Sequence, residues 1–74
     1  MNTFLTTEKT ALSKREKEVV NMLSRGFSTK EISTLLFISF HTVDTHRKHV
    51  LEKLGAKNMP HAVRLAMQKG LLAD

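Results

Sequence analysis

The chain has 74 residues, with twelve Lys and Arg against seven Asp and Glu, for a formal net charge of +5. That length allows one small domain, burying roughly 60% of the surface its unfolded chain exposes, and the basic excess suits an acidic partner such as nucleic acid. The absence of cysteine excludes a disulfide framework and a thiolate zinc site. The longest apolar run, "LLFI", is far too short for a membrane span.

The polar, threonine-rich opening "MNTFLTTEKTA" (1–11) reads as a flexible arm or the remnant of a linker, with Phe4 and Leu5 as its one apolar pair. The domain proper is expected over 12–74. Ser13 and Glu16 form a capping box, which ties up exposed amides at a helix start. The first helix then runs from about Lys14 to Arg25, with Val19, Val20, Met22 and Leu23 apolar, and Gly26 ends it.

Ser28 and Glu31 form a second capping box, opening a short helix over about Thr29 to Leu36 with Ile32, Leu35 and Leu36 inward. Phe37 and Ile38 make a tight connection to Ser39, the next N-cap. The third helix spans about Phe40 to Leu54 and stops at Gly55. Asn58 caps a fourth helix, with Pro60 tolerated in its first turn and Gly70 at its end. No segment alternates with period two, so the expected class is all-α, a four-helix bundle. Its second and third helices, joined by a short turn, have the proportions of a helix-turn-helix. A four-helix scaffold with no groove to enter has the same outline.

At about 100° per residue, Val43, Val50 and Leu54 share the inward stripe of the third helix, with Leu51 at its edge. The opposite side carries His41, Asp44, Thr45, Lys48 and Glu52, while His46 borders the core and His49 lies on the flank. His41 and His46 are therefore about 140° apart, too far round to share an ion. His46 and His49 could share one, but nothing completes the three or four ligands that zinc requires. We expect no metal and no cofactor. Nor is there a nucleophile with a histidine base and an acid orienter, or a glycine-rich phosphate loop, so no enzyme is expected.

A face offering His41, Thr45 and Lys48 near a helix N-terminus can meet base edges in a major groove. Arg47, Lys53 and Lys57 lie round the sides and end of that helix, where phosphates would pass. A solvated charged face fits the same pattern. His46 fits best as a partly buried, hydrogen-bonded residue with a polar tip.

The segments "LSKREKEVV", "GFSTKEIS", "LLFIS", "HTVDTHRKHVLEKLGA" and "NMPHAVRLAMQKGLL" resemble the LuxR-type (GerE-type) helix-turn-helix domain. The likeness runs from Leu12 to about Leu72 and rests on Arg15-Glu16, Lys30 to Ile32, Thr42 to His46 and Lys53-Leu54 at their fixed spacings. It implies a four-helix domain of a bacterial transcription regulator that binds duplex DNA as a dimer. By position, the resemblance puts base contacts on Asp44, Thr45 and Lys48, and phosphate contacts on Lys30, Thr42, Arg47 and Lys53. Asp44 stands where many members carry lysine or another donor. The fourth helix supplies the dimer seam in this family, and its apolar set spreads over roughly 200°, wider than one core stripe needs. Val63 and Met67 lie on one edge of that set.

The function expected is sequence-specific binding of double-stranded DNA for transcription regulation, in the cytoplasm. The alternative is a helical module that binds other regulators, favoured by Asp44 and Glu52 on the outer face. With no room for a receiver or ligand-sensing domain, the chain is either a stand-alone regulator or the DNA-binding piece of a longer one. Its linker-like start favours the latter.

Overall fold

The computed structural model describes residues 11–72, in which α1 (Lys14–Ser24), α2 (Thr29–Leu36), α3 (Phe40–Leu54) and α4 (Met59–Gln68) follow in order, with no strand among the described residues. The four expected helices are all present, each bound within about two residues of the expectation. The expected arm lies outside the described residues except for Ala11, as do Phe4 and Leu5.

Each helix starts on the cap its sequence announces. The Ser13 hydroxyl accepts from the Glu16 amide at 3.1 Å while the Glu16 carboxylate accepts from the Ser13 amide at 2.8 Å. Ser28 and Glu31 repeat this box on α2. Ser39 accepts from the Thr42 amide, and Asn58 from the His61 amide. These side chains satisfy amides that the first helical turn leaves without carbonyl partners.

The ends are equally uniform. Each helix closes with two reaching-back bonds: Phe27 to Met22 and Gly26 to Leu23, Ile38 to Ser33 and Phe37 to Thr34, Ala56 to Leu51 and Gly55 to Glu52, Leu71 to Ala66 and Gly70 to Met67. This is the Schellman closure, which places one residue in the left-handed region. Three ends fill that position with glycine, and α2 fills it with Phe37 at φ 58°.

α3 touches α1, α2 and α4, and α1 likewise touches the other three helices. Two apolar clusters divide the length of α3. Val43, in its N-terminal half, packs with Val19 and Ile32. Val50, in its C-terminal half, packs with Leu12, Val20, Met59, Ala62 and Ala66. Leu23 flanks both clusters. Ala62 and Ala66 are fully buried, and their small size lets the α4 backbone come close to its neighbours.

One inward assignment fails. Leu36 packs against the Val19 cluster as expected, but Leu35 is 51% exposed. On a wheel, Leu35 and Leu36 lie on opposite sides of Ile32, and it is Leu36 that meets the Val19 cluster.

Phe37 is 93% exposed, so its ring gains nothing from burial that offsets a left-handed backbone. That conformation costs an L-residue roughly 1–2 kcal/mol, of which glycine's larger entropy loss on folding cancels part. Phe37→Gly is therefore expected to stabilise the domain by about 0.5–1 kcal/mol, seen as a higher midpoint in urea unfolding with an unchanged slope. A lowered midpoint would mean that the ring makes contacts which matter to the fold.

Candidate nucleic-acid interface

The outward side of α3 is set by what its inward side buries. With Val43 and Val50 fully buried, the same helix must turn His41, Asp44, Thr45 and Lys48 away from the core. His41 and Lys48 are exposed, and Asp44 and Thr45 are half-buried. The structure thus brings the four expected base-facing residues onto one side of α3, between its second residue and just past its midpoint.

Their chemistry is more specific than their positions. The Asp44 carboxylate is shared between two cations, with Arg47 at 3.4 Å on one oxygen and Lys48 at 3.3 Å on the other. Asp44 therefore aims the Lys48 ammonium, whose side chain is otherwise exposed. The Thr45 hydroxyl donates back to the His41 carbonyl at 3.1 Å. What Thr45 offers outward is thus a methyl group and an acceptor oxygen, its one donor being engaged.

The expected phosphate contacts divide into two kinds. Lys30 is exposed on α2 and Thr42 lies half-buried beside Ser39, whose hydroxyl is 2.9 Å from its own. Arg47 is half-buried, with its Nε enclosed and its Nη1 turned to Asp44. Lys53 differs, because its ammonium donates to Glu16 at 2.8 Å and only 27% of the side chain is exposed. It ties α3 to α1 across 37 positions of chain. His49 approaches the other oxygen of the same carboxylate at 3.7 Å. His46 is half-buried as expected, but its enclosed Nδ1 has no hydrogen-bond partner.

Glu16 is the residue whose role the sequence reading understated. Taken as a cap, it is also buried, 4% exposed, and receives both Lys53 and His49. Its spacing to Val19, Val20 and Leu23 was the available signal, since it puts an acid inside the apolar stripe of α1. Burial pushes the Glu16 carboxyl upward, but the Lys53 hydrogen bond, the Ser13 amide, the Lys53 charge and the Ser13 hydroxyl outweigh it. The carboxyl is held below its ordinary value. Glu31, exposed at the start of α2, is lowered by the Ser28 amide and hydroxyl.

On α4 the two expected seam residues part company. Met67 is 63% exposed, whereas Val63 is half-buried against the Val50 cluster. Among the described residues no group of three or more His, Cys, Asp or Glu could hold a metal ion, and no helix is long and apolar enough to cross a membrane.

Comparison with known proteins gives a consistent result. The model of the GerE family, described as bacterial regulatory proteins of the luxR family, matches residues 10–66. The oxygen regulatory protein NreC of Staphylococcus aureus strain JH9 is 44% identical over 61 residues, which cover 82% of this chain and 28% of NreC. Two solved structures superpose closely. The response regulator ChrA of a heme-sensing two-component system has a TM-score of 0.80 at 42% identity, over 84% of this chain and 31% of ChrA. The phage VqmA–DPO complex has a TM-score of 0.76 at 31% identity, over 86% of this chain and 29% of that one. The chain thus spans less than a third of each of these relatives.

The Glu16 arrangement makes stability depend on pH with a definite sign. A carboxyl lowered in the folded state contributes stability that is fully present above its unfolded value, near 4.5, and is lost as the pH falls through the folded value. Glu16→Gln removes that charge. Near neutral pH it should cost roughly 1.5–3 kcal/mol, the range for a hydrogen bond to a charged group. The gap between parent and variant should close as the pH falls below the unfolded value. Urea unfolding across the pH range tests this, and a gap that stays constant into acid would assign the loss to shape rather than charge.

Proposed function

The chain belongs to the luxR family of bacterial regulatory proteins, a family of DNA-binding transcription regulators, and from that membership and the outward face of α3 we propose that it binds double-stranded DNA sequence-specifically. In this reading α3 enters the major groove by its N-terminal half. The observation that carries it is the grouping of His41, Asp44, Thr45 and Lys48 on the side of α3 opposite the buried Val43 and Val50.

Base contacts come from those four residues. Lys48 is the donor, suited to the acceptors of a guanine edge, and Asp44 orients it while keeping the ability to accept from a cytosine amine. Lys30, Thr42 and Arg47 meet phosphates and set the register of the helix on the duplex. Lys53 belongs first to the fold through Glu16, and adds its field to the phosphate side from the C-terminal half of α3. Affinity comes largely from phosphate neutralisation, and the choice of site from α3. No covalent chemistry is required.

Two copies bind together, with Met67 at the seam. Its exposure on α4 leaves an apolar side chain that a second copy would cover. Val63 contributes from the edge of the core. A second reading, a module that binds other regulators, draws support from Phe27 and Leu35, which line a shallow groove on α2 with Lys30, Glu31 and Thr34.

One set of duplex titrations tests the proposal. Affinity should fall steeply with salt, with a logarithmic slope of about −0.9 for each phosphate neutralised. On paired half-sites, sedimentation should show two copies of the parent, and Met67→Asp should bind as one copy at lower affinity. A slope near zero would overturn the DNA reading and leave the protein-binding one, while a parent that sediments as one copy per duplex would overturn the seam.

A further inference from the structure

Phe40 is the first residue of α3 and is 56% exposed. A single exposed ring is ordinary on a protein surface, and it is the place of this one that gives it something to cover. Ser39 caps the helix by accepting from the Thr42 amide at 3.0 Å, which fixes the direction in which Phe40 leaves the backbone. Helical side chains slant towards the N-terminus, so the ring projects at the leading end of α3.

Phe40, Asp44 and Lys48 are spaced four apart, and successive members of such a row are offset by only about 40°. Asp44 and Lys48 are in contact at 3.3 Å along this row, and Phe40 precedes them by one turn. The Phe40 ring stands about 80° round the helix from Lys48, between the outward row and the inward stripe, at the leading end and one turn ahead of Asp44. Thr45 adds an outward methyl group, its hydroxyl proton being engaged with the His41 carbonyl.

The ring can neither donate nor accept a conventional hydrogen bond. Among the unmodified base edges in the major groove, only thymine presents an apolar group, the C5-methyl. We infer that Phe40 is a further specificity-determining residue, selecting thymine in each half-site by covering its methyl group. The inference rests on the DNA reading above and deepens it. Of the other residues assigned to the groove only Thr45 has an apolar group to offer, its methyl, and Phe40→Ala separates the two because it leaves Thr45 in place.

The test uses duplexes that differ in that methyl alone. Sites are first selected from a random double-stranded library with the parent protein. The best duplex is then resynthesised with deoxyuridine replacing thymine at one position at a time, which keeps every hydrogen-bonding group in the groove. At one thymine per half-site the parent should lose about fourfold in affinity, the ratio that burying one carbon group corresponds to. Phe40→Ala should bind thymine and deoxyuridine duplexes equally, and Phe40→Leu, which keeps an apolar tip, should retain the methyl dependence. Circular dichroism and urea unfolding of both variants establish that the fold is intact. Selection of defined sites with no methyl effect at any thymine, or a methyl effect that persists in Phe40→Ala, would overturn this inference alone. Failure to enrich any duplex would overturn the DNA reading and this inference with it.

Discussion

The constraint on which this domain turns is a carboxylate buried between two helices. Glu16 closes the first turn of α1 through Ser13 and at the same time receives Lys53 and His49 from the far half of α3. A carboxylate taken out of water is costly unless its oxygens are occupied. Here one oxygen faces both the Ser13 amide and the Lys53 ammonium, and the other faces His49. The same group thus determines where α1 starts and how α3 lies across it. The Lys53 bond to Glu16 is directional and runs from one helix to another, and such a bond resists sliding where apolar packing alone tolerates it.

With that cross-brace in place, the two apolar clusters divide the labour along α3. Val43 anchors its leading half against α1 and α2, and Val50 anchors its trailing half against α1 and α4. A helix held at both ends by fully buried valines cannot roll, so its opposite side is presented in one orientation. That side is where Asp44 holds Arg47 and Lys48. The pairing tempers the repulsion an acid would feel near phosphates, and it spends part of each cation's charge on aim rather than attraction.

What the sequence made legible was local. Ser13, Ser28, Ser39 and Asn58 announce the helix starts because a cap is a bond between near neighbours. Gly26, Gly55 and Gly70 announce three of the ends because the left-handed position admits few other residues. The stripe of α3 also followed from spacing, and with it the outward placement of His41, Asp44, Thr45 and Lys48. What was not legible depended on which neighbour covers which side. Leu35 has the same hydrophobicity as Leu36, and only the placement of α1 and α3 leaves it exposed. Lys53 has the composition of a phosphate contact, and only the fold shows its ammonium on Glu16, 37 positions away in the chain. Phe37 ends α2 in the conformation glycine adopts elsewhere, which no propensity would have placed there.

The central claim is that the N-terminal half of α3 is the surface that meets duplex DNA. The most direct measurement is a titration of the isotopically labelled protein with a selected duplex, following each backbone amide by NMR. The account predicts that the largest shifts gather on Phe40, His41, Asp44, Thr45 and Lys48, with smaller ones at Lys30 and Thr42. Amides around the buried Val20, Ala62 and Ala66 should be little changed. Shifts concentrated instead on Phe27, Thr34 and Leu35 of the α2 groove, with α3 unmoved, would contradict it.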